Sequence, residues 1–399
     1  MIGTPSHRIS VVVGDKEITQ WSTYSITAGI TRIACPFSLS IPFDLAAWLL
    51  CKTDRTIHVL IDGVSILKGK IDDRDLPEDE GEEISISGRD MTGRLVDESA
   101  PGINFSGLTL KDLTAKLAAP WFDTISFSNE RNRKITRGRG GKTKGHRKHK
   151  GPKVSTPTRI ARADDAALKL NSRVGTQIEP GQKRWQTLST LLAQAGLLAW
   201  SSGDGKELIV GTPDYDQDIQ YVFFKPKAGS SRISEASCLG IGHHDSTGDR
   251  YSEVVVVGAG TGTDANYGKA VSSRYGVAKN NPNTADGTGL DFEDPKRLIV
   301  VRAVGSVEDA NELAAREMAR RDAMGHVLTV RCAGHGQIYT DSTTEPTLFV
   351  PDTLALVEDE RTETRGIYLV TECVYESTRK DGETTKMTLI RSGSDLSPI

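Results

Sequence analysis

Residues 88–101 read GRDMTGRLVDESAP, and this stretch decides how the chain is divided. Just before it, Ile84 and Ile86 alternate with Ser85 and Ser87, the period-two pattern of a half-buried strand. Gly88 is expected to end that strand, and Gly93 to interrupt any helix beginning behind it. Asp97, Glu98 and Ser99 make a polar exit, and Pro101 blocks regular structure. The stretch reads as a joint between an all-β opening and a helical segment.

Working outward toward the N-terminus, residues 8–97 read as strands. Ile9–Val13 is a β-branched run closed by Gly14-Asp15. Ile57–Ile61 and Val64–Leu67 flank Asp62-Gly63, a pair suited to a two-residue turn with positive φ at both positions. Residues 77–83, Pro-Glu-Asp-Glu-Gly-Glu-Glu, form a solvated loop. Toward the C-terminus, Thr109 and Asp112 bracket the start of a helix whose apolar stripe is Leu110, Leu113 and Leu117. A second helix starts near Trp185, with Leu188, Leu191 and Leu192 on one face and Gly196 as its stop, followed by a hairpin from Leu197 to Val210. From residue 216 the pattern is β again, with a Gly/Asn/Thr-rich loop over 258–290. A long helix follows over 306–324, capped by Ser306 with Asp309 and striped by Ala310, Leu313, Ala314 and Met318. Strands close the chain at 326–332, 353–358, 366–376 and 385–391.

These readings give an α+β protein, mainly β, with three parts. Residues 1–97 form a first small β-barrel module. Residues 98–215 with 304–326 form an α+β module, the long helix closing its core. Residues 216–303 with 327–399 form a second β-barrel module. A hairpin, a Gly-Glu pair, an apolar strand and Ser-Gly recur near residues 81–88 and 382–393, which hints at a duplicated β module.

At 399 residues, two to three domains are expected. No apolar run approaches the ~20 residues of a membrane helix. The N-terminus lacks the charged head and apolar stretch of a secretory signal, so synthesis without export and no membrane insertion are expected. The five cysteines, Cys35, Cys51, Cys238, Cys332 and Cys373, form no CxxC pair and read as reduced, buried residues. The net charge of −3 conceals a segregation. Eleven cations and no acid lie between residues 131 and 153: Arg131, Arg133, Lys134, Arg137, Arg139, Lys142, Lys144, Arg147, Lys148, Lys150 and Lys153. The rest of the chain holds 39 basic and 53 acidic residues, an acidic body. Residues 129–166 have almost no apolar content and read as a mobile insert. Its cations suit electrostatic contact with an anionic surface, and the lack of aromatics argues against reading bases.

Candidate chemistry is sparse. Val254–Gly262 (VVVVGAGTG) has Thr263 where a dinucleotide fingerprint needs its third glycine. His243-His244-Asp245 reads as a surface turn, since adjacent strand residues face opposite ways and no zinc spacing accompanies them. Cys332 and His335 fall on strand and turn, with the cysteine buried. No Gly-x-Ser-x-Gly elbow occurs, and Asp72/Asp73 and Asp214/Asp216 are ordinary loop acids. No catalytic constellation, cofactor site or metal site is expected.

Gly88-Arg89 followed by Leu95-Val96-Asp97-Glu98-Ser99-Ala100 resembles the first domain boundary of baseplate hub proteins from Mu-like contractile-tail phages. Gly14–Trp21, Lys68–Asp73, Ile178–Gly181 with Trp185, Leu348–Asp352 and Gly366–Val370 are similar to further parts of that family. The insert departs from its pattern. The resemblance implies a structural virion protein of the tail baseplate, made in the host bacterial cytoplasm. It implies a homotrimer whose two β modules per subunit form a ring of pseudo-six-fold symmetry between the hexameric tail tube and the trimeric tail spike. The implied partners are that spike, the tail tube or a tube-initiator protein, and baseplate wedge proteins. The tape-measure protein or DNA in the channel are the anionic surfaces within reach of the insert. The competing readings are a nucleic-acid-binding protein acting through the insert and a hub-associated cell-wall hydrolase. Replacing Arg131, Arg133, Lys134, Arg137 and Arg139 by Gln is expected to leave the oligomer intact in light scattering. The same change weakens attachment to the anionic partner in a pull-down, because exposed charges act only within ~8–10 Å at physiological salt.

Overall fold

The computed structural model describes residues 7–18, 20–78, 83–102, 107–127, 181–258, 275–281, 291–302, 307–337, 347–394 and 396. The chain gathers into two compact units. The first holds Met1–Asp218, Cys332–Thr353 and Thr371–Lys386, and the second holds Ile219–Arg331, Leu354–Val370 and Met387–Ile399. In chain order, seven strands come first: β1 (Ile9–Val13), β2 (Lys16–Ile18), β3 (Thr23–Gly29), β4 (Pro36–Pro42), β5 (Thr56–Ile61), β6 (Val64–Asp75) and β7 (Glu83–Asp90). Helix α1 (Leu45–Leu50) lies between β4 and β5. Then come α2 (Gly93–Asp97), α3 (Leu110–Ala118), β8 (Thr124–Phe127), α4 (Arg184–Ala195), β9 (Leu198–Ser201) and β10 (Glu207–Gly211). Next are β11 (Ile219–Lys225), β12 (Gly240–Asp245), β13 (Glu253–Gly258), β14 (Tyr275–Lys279), β15 (Arg297–Arg302) and the long helix α5 (Val307–Gly325). The last strands are β16 (His326–Ala333), β17 (Gly336–Gln337), β18 (Thr347–Leu348), β19 (Thr353–Asp359), β20 (Thr364–Thr378) and β21 (Gly382–Arg391). The fold is α+β and mainly β.

In the first unit the sheet runs β20-β3-β4-β7-β6-β5-β1-β2. Alternation decides which face is buried: Ile57, Val59 and Ile61 of β5 are fully buried, as are Ile84 and Ile86 of β7. The Asp62-Gly63 turn has φ of 51° and 77°, as the sequence predicts. Gly88 does not end its strand, because β7 continues to Asp90. A Cβ at Gly88 would come 2.0 Å from the Lys70 carbonyl oxygen and 2.7 Å from the Phe37 ring, so the glycine allows a close crossing. Gly93 likewise opens α2 and does not interrupt it. Among the described residues no pairing returns one edge of this sheet to the other, so the expected closed barrels are not found.

The helical part behaves largely as read. Thr109 and Asp112 complete both arms of a capping box on α3, and Gly196 ends α4 at φ 68°. Leu113, Leu117, Leu188, Leu192 and Leu208 pack into one core. The joint at 97–101 is stitched onto α4. The Ala100 amide donates to the Gln182 carbonyl at 2.7 Å, the Arg184 amide donates to the Glu98 carbonyl at 2.9 Å, and the Arg184 guanidinium lies 3.0 Å from the Glu98 carboxylate. Residues on both sides of position 97 therefore share one compact unit.

The C-terminal strands depart furthest from the sequence division. Residues 371–386 gather with the first unit, where β20 pairs antiparallel with β3 from Glu372 opposite Gly29 to Ser377 opposite Tyr24. In the second unit β11 pairs in parallel with β19, and β12 pairs antiparallel with β16. A separate sheet, β14-β13-β15, carries α5 on one face. Val254 and Val256 of β13 meet Ala310, Ala314 and Met318 of α5, with Leu313 at the margin. The stripe is the one read from the sequence, but its partner is not. The expectation placed this helix on the 98–215 module. Strand β14 lies inside the stretch read as loop and, with its neighbours, gives the helix a nearer apolar surface. The expected cap at Ser306 lies outside the described residues.

The packing of β14 under α5 is tight. A Cβ on Gly276 would come 2.1 Å from the Ala310 carbonyl carbon, backbone that cannot yield. Gly276→Ala is expected to cost about 3 kcal/mol, an overpacking penalty seen as a lower midpoint in urea denaturation. An unchanged midpoint would show that the helix does not seat there.

Candidate functional site

The eleven cations of the insert all lie within residues 128–180, outside the described residues. Among the described residues, no group of three or more His, Cys, Asp or Glu is placed to hold a metal ion. Val254–Gly258 of the glycine-rich string belongs to β13, and the rest of the string lies outside the described residues. His243 and His244 sit on β12, not on a surface turn, because this segment pairs along β16. His243 Nε2 is 3.0 Å from Asp359 Oδ2, while His244 is exposed. Burial pushes the Asp359 carboxyl up, but hydrogen bonds from Arg361 and His243 outweigh it and hold the group at about 2. Asp72 is ion-paired with Arg89 at 2.6 Å, and Arg89 also grips Asp97, so this acid is structural. All five cysteines are buried and free.

The first unit does contain a buried polar cluster that the sequence did not reveal. His335 is fully buried. Its Nδ1 lies 2.8 Å from the Thr385 hydroxyl, which itself donates to the Gly334 carbonyl at 2.8 Å. A hydroxyl has one proton, so Thr385 must accept from Nδ1–H. His335 Nε2 is then the acceptor, and the Tyr24 hydroxyl donates to it at 2.6 Å. His7 Nδ1 lies 2.6 Å from Asp62, its backbone amide donates to Glu383, and its ring centre is 5.4 Å from that of His335. The edge of Tyr375 meets the His335 ring at 5.5 Å. Burial first, and the neighbouring His7 second, hold His335 down to about 3. The ring is neutral and serves as a hydrogen-bonded strut. Its partners Tyr24 and Thr385 are 311 and 50 residues away, so no local pattern announces them.

Among the described residues, large apolar side chains are exposed on each unit. On the first, Phe43, Leu45 and Leu49 project from α1 and its approach, and no residue of that helix is buried. The signal for this helix was present in the sequence as Asp44, whose carboxylate accepts from the Ala47 amide at 3.0 Å, followed by an apolar run. On the second unit, the face of β14-β13-β15 away from α5 exposes Tyr275, Val277, Ile299 and Val301. Exposed apolar patches of this kind mark places where another surface docks.

The fold has solved counterparts. The structure is similar to a tail protein from Neisseria meningitidis MC58, at 24% identity and TM-score 0.71, covering 99% of this chain and 100% of that one. It is also similar to the 43 kDa tail protein of prophage MuSo2 from Shewanella oneidensis, at 18% identity and TM-score 0.67, covering 97% of this chain and 99% of that one. Prophage tail protein gp18 from Listeria monocytogenes EGD-e shares the fold more distantly, at 10% identity and TM-score 0.50, over 98% and 96% of the two chains. At these identities the likeness is one of fold. Residues 8–90 match the family model of the Mu phage baseplate assembly protein GpP-like, N-terminal, so the resemblance holds over that stretch, which takes in Gly88-Arg89 but ends before Leu95–Ala100. No curated protein matches the chain.

The buried histidine gives stability a pH dependence. The folded ring takes a proton only near pH 3, whereas in the unfolded chain it does so near its ordinary 6.5. Its contribution is complete above about 6.5 and is lost as pH falls from there toward 3. Asp90 acts the other way: burial pushes its carboxyl up to about 6, so its folded form gains stability as pH falls from there toward the ordinary 3.8. His335→Gln is expected to lower the urea midpoint at pH 7 and to flatten its fall between pH 7 and pH 5. Equal slopes in the two proteins would show that His335 is not buried neutral.

Proposed function

We propose that this chain is a structural subunit of the baseplate hub of a contractile phage tail. It forms a homotrimer, a ring of pseudo-six-fold symmetry that adapts the hexameric tail tube to the trimeric spike. The observation that carries this reading is the match of residues 8–90 to the Mu baseplate assembly model. The fold likeness to phage tail proteins, which extends over nearly the whole chain, supports it. So does the division of the chain into two units that each contain paired strands, because three subunits then bring six such units to a ring. Matching six-fold to three-fold symmetry is work for extended surfaces, and it calls for no catalytic group. The spike, the tube or tube-initiator and the wedge proteins are the partners in this reading. The basic insert acts as an electrostatic tether to an anionic neighbour, the tape-measure protein or DNA passing the channel. Among the described residues no helix is long and apolar enough to cross a membrane.

Light scattering on the purified chain, alone and with the spike, tests the proposal. The expected mass of the hub component is three times 43.2 kDa. Electron microscopy of tails carrying a tagged chain is expected to place the tag at the baseplate. A chain that stays monomeric at high concentration both alone and with the spike would sink the ring.

A further inference from the structure

We propose that a proton-operated seam closes the first unit: His335, with His7 beside it, joins the start of β1 to β21, and the join opens when the His335 ring takes a second proton. In the sheet order six strands, β20, β3, β4, β7, β6 and β5, lie between β21 and β1. The approach to β1 nonetheless reaches β21, where the His7 amide donates to the Glu383 carboxylate at 3.2 Å. Two further amides fix the ends of the join. The Arg8 amide donates to the Asp62 carboxylate at 2.8 Å, and the Gly334 amide donates to the Glu383 carbonyl at 2.9 Å. Thr385, also on β21, holds His335 Nδ1, and the His335 ring centre is 5.4 Å from that of His7. All of these residues belong to the first unit. Among the described residues no backbone pairing links β1 to β21, so side chains carry the contact.

The join has no place for a second proton on either ring. His335 gives its Nδ1–H to Thr385, and its Nε2 accepts from the Tyr24 hydroxyl at 2.6 Å, so a proton on Nε2 would set N–H against O–H. His7 donates Nδ1–H to Asp62 at 2.6 Å, because an ionised carboxylate only accepts. Its Nε2 is buried with no hydrogen-bond partner. A proton there would make a buried N–H with nothing to accept it. The charged groups facing the two rings are Asp62, on the turn between β5 and β6, and Glu383 on β21. The Arg8 side chain pairs instead with Glu17 at 3.1 Å. Tyr24 on β3 and Tyr375 on β20 are the titratable groups on the strands packed against His335. Burial first and His7 second oppose a proton on His335, and together they outweigh the pull of Asp62. In the open form the ring meets water and takes its proton near the ordinary 6.5. Acid therefore favours the open form, by about tenfold for each pH unit below 6.5 until the closed ring itself titrates near 3.

Amide hydrogen exchange on the full chain tests this, with rates corrected for the intrinsic effect of pH. Peptides covering residues 8–13 and 382–386 report the seam, and peptides covering α3 and α4 report the helical core of the same unit. At pH 5.5 the seam is expected to open more readily than the core. Its opening constant is expected to rise about tenfold on going to pH 4.5, because opening takes up one proton. His335→Gln keeps a donor and an acceptor but cannot be charged, and in that variant the rise is expected to vanish. Histidine 15N NMR on the parent gives a reading that no variant has to survive. The His335 ring is expected to be neutral still at pH 5, with its proton on Nδ1. Equal opening of seam and core at each pH would mean that the join parts only in global unfolding, and would overturn the proposal. So would a rise that persists in His335→Gln, or a His335 ring that takes its proton near 6.5 in the folded chain.

Discussion

The first unit depends on the ladder between β3 and β20. Its six backbone pairs join residues 24–29 to residues 372–377, near the two ends of the chain. Closing so long a loop costs entropy that no single hydrogen bond offsets, so side chains packed around the ladder must supply the difference. Tyr24 and Tyr375, both on the ladder, converge on buried His335, and Ile26, Cys373 and Tyr375 are fully buried within the same pairing. The Ile30 amide extends the register by donating to the Thr371 carbonyl at 2.9 Å. Without this ladder β3 would be a bare edge, and Tyr24 would not reach His335.

The same ladder explains why buried polar groups are tolerated. A histidine in the core is costly unless both ring nitrogens are satisfied, and unless it stays neutral. Thr385 satisfies one nitrogen and Tyr24 the other. The two partners come from opposite ends of the chain, so the polar cluster forms only when the long-range pairing is complete. It therefore discriminates against alternative registers of β20, since a shift by one residue would turn Tyr375 to the other face.

The second unit illustrates a different constraint. The sheet β14-β13-β15 has two faces, and α5 packs on one of them. Gly276 lets α5 approach closely enough for Val254 and Val256 to be fully buried on that side. Ile299 and Val301 on the other side are exposed.

The sequence by itself determined the local elements. The Asp62-Gly63 turn, the Thr109–Asp112 capping box, the stop at Gly196 and the Ala310-Ala314-Met318 stripe were all legible, because each depends on residues a few positions apart. The family resemblance was legible for a related reason, since the motif around Gly88-Arg89 is a contiguous string. The insert's charge was also legible, although its placement was not. The tertiary structure alone decided which surface each apolar stripe would meet. It put α5 on a neighbouring sheet, made Gly88 a crossing point and not a terminus, raised a strand at Tyr275–Lys279 where composition reads as loop, and drew residues 371–386 to β3. Periodicity states that a face must be buried and says nothing of its partner. That choice is settled by the sum of many non-local contacts, which no window of sequence contains.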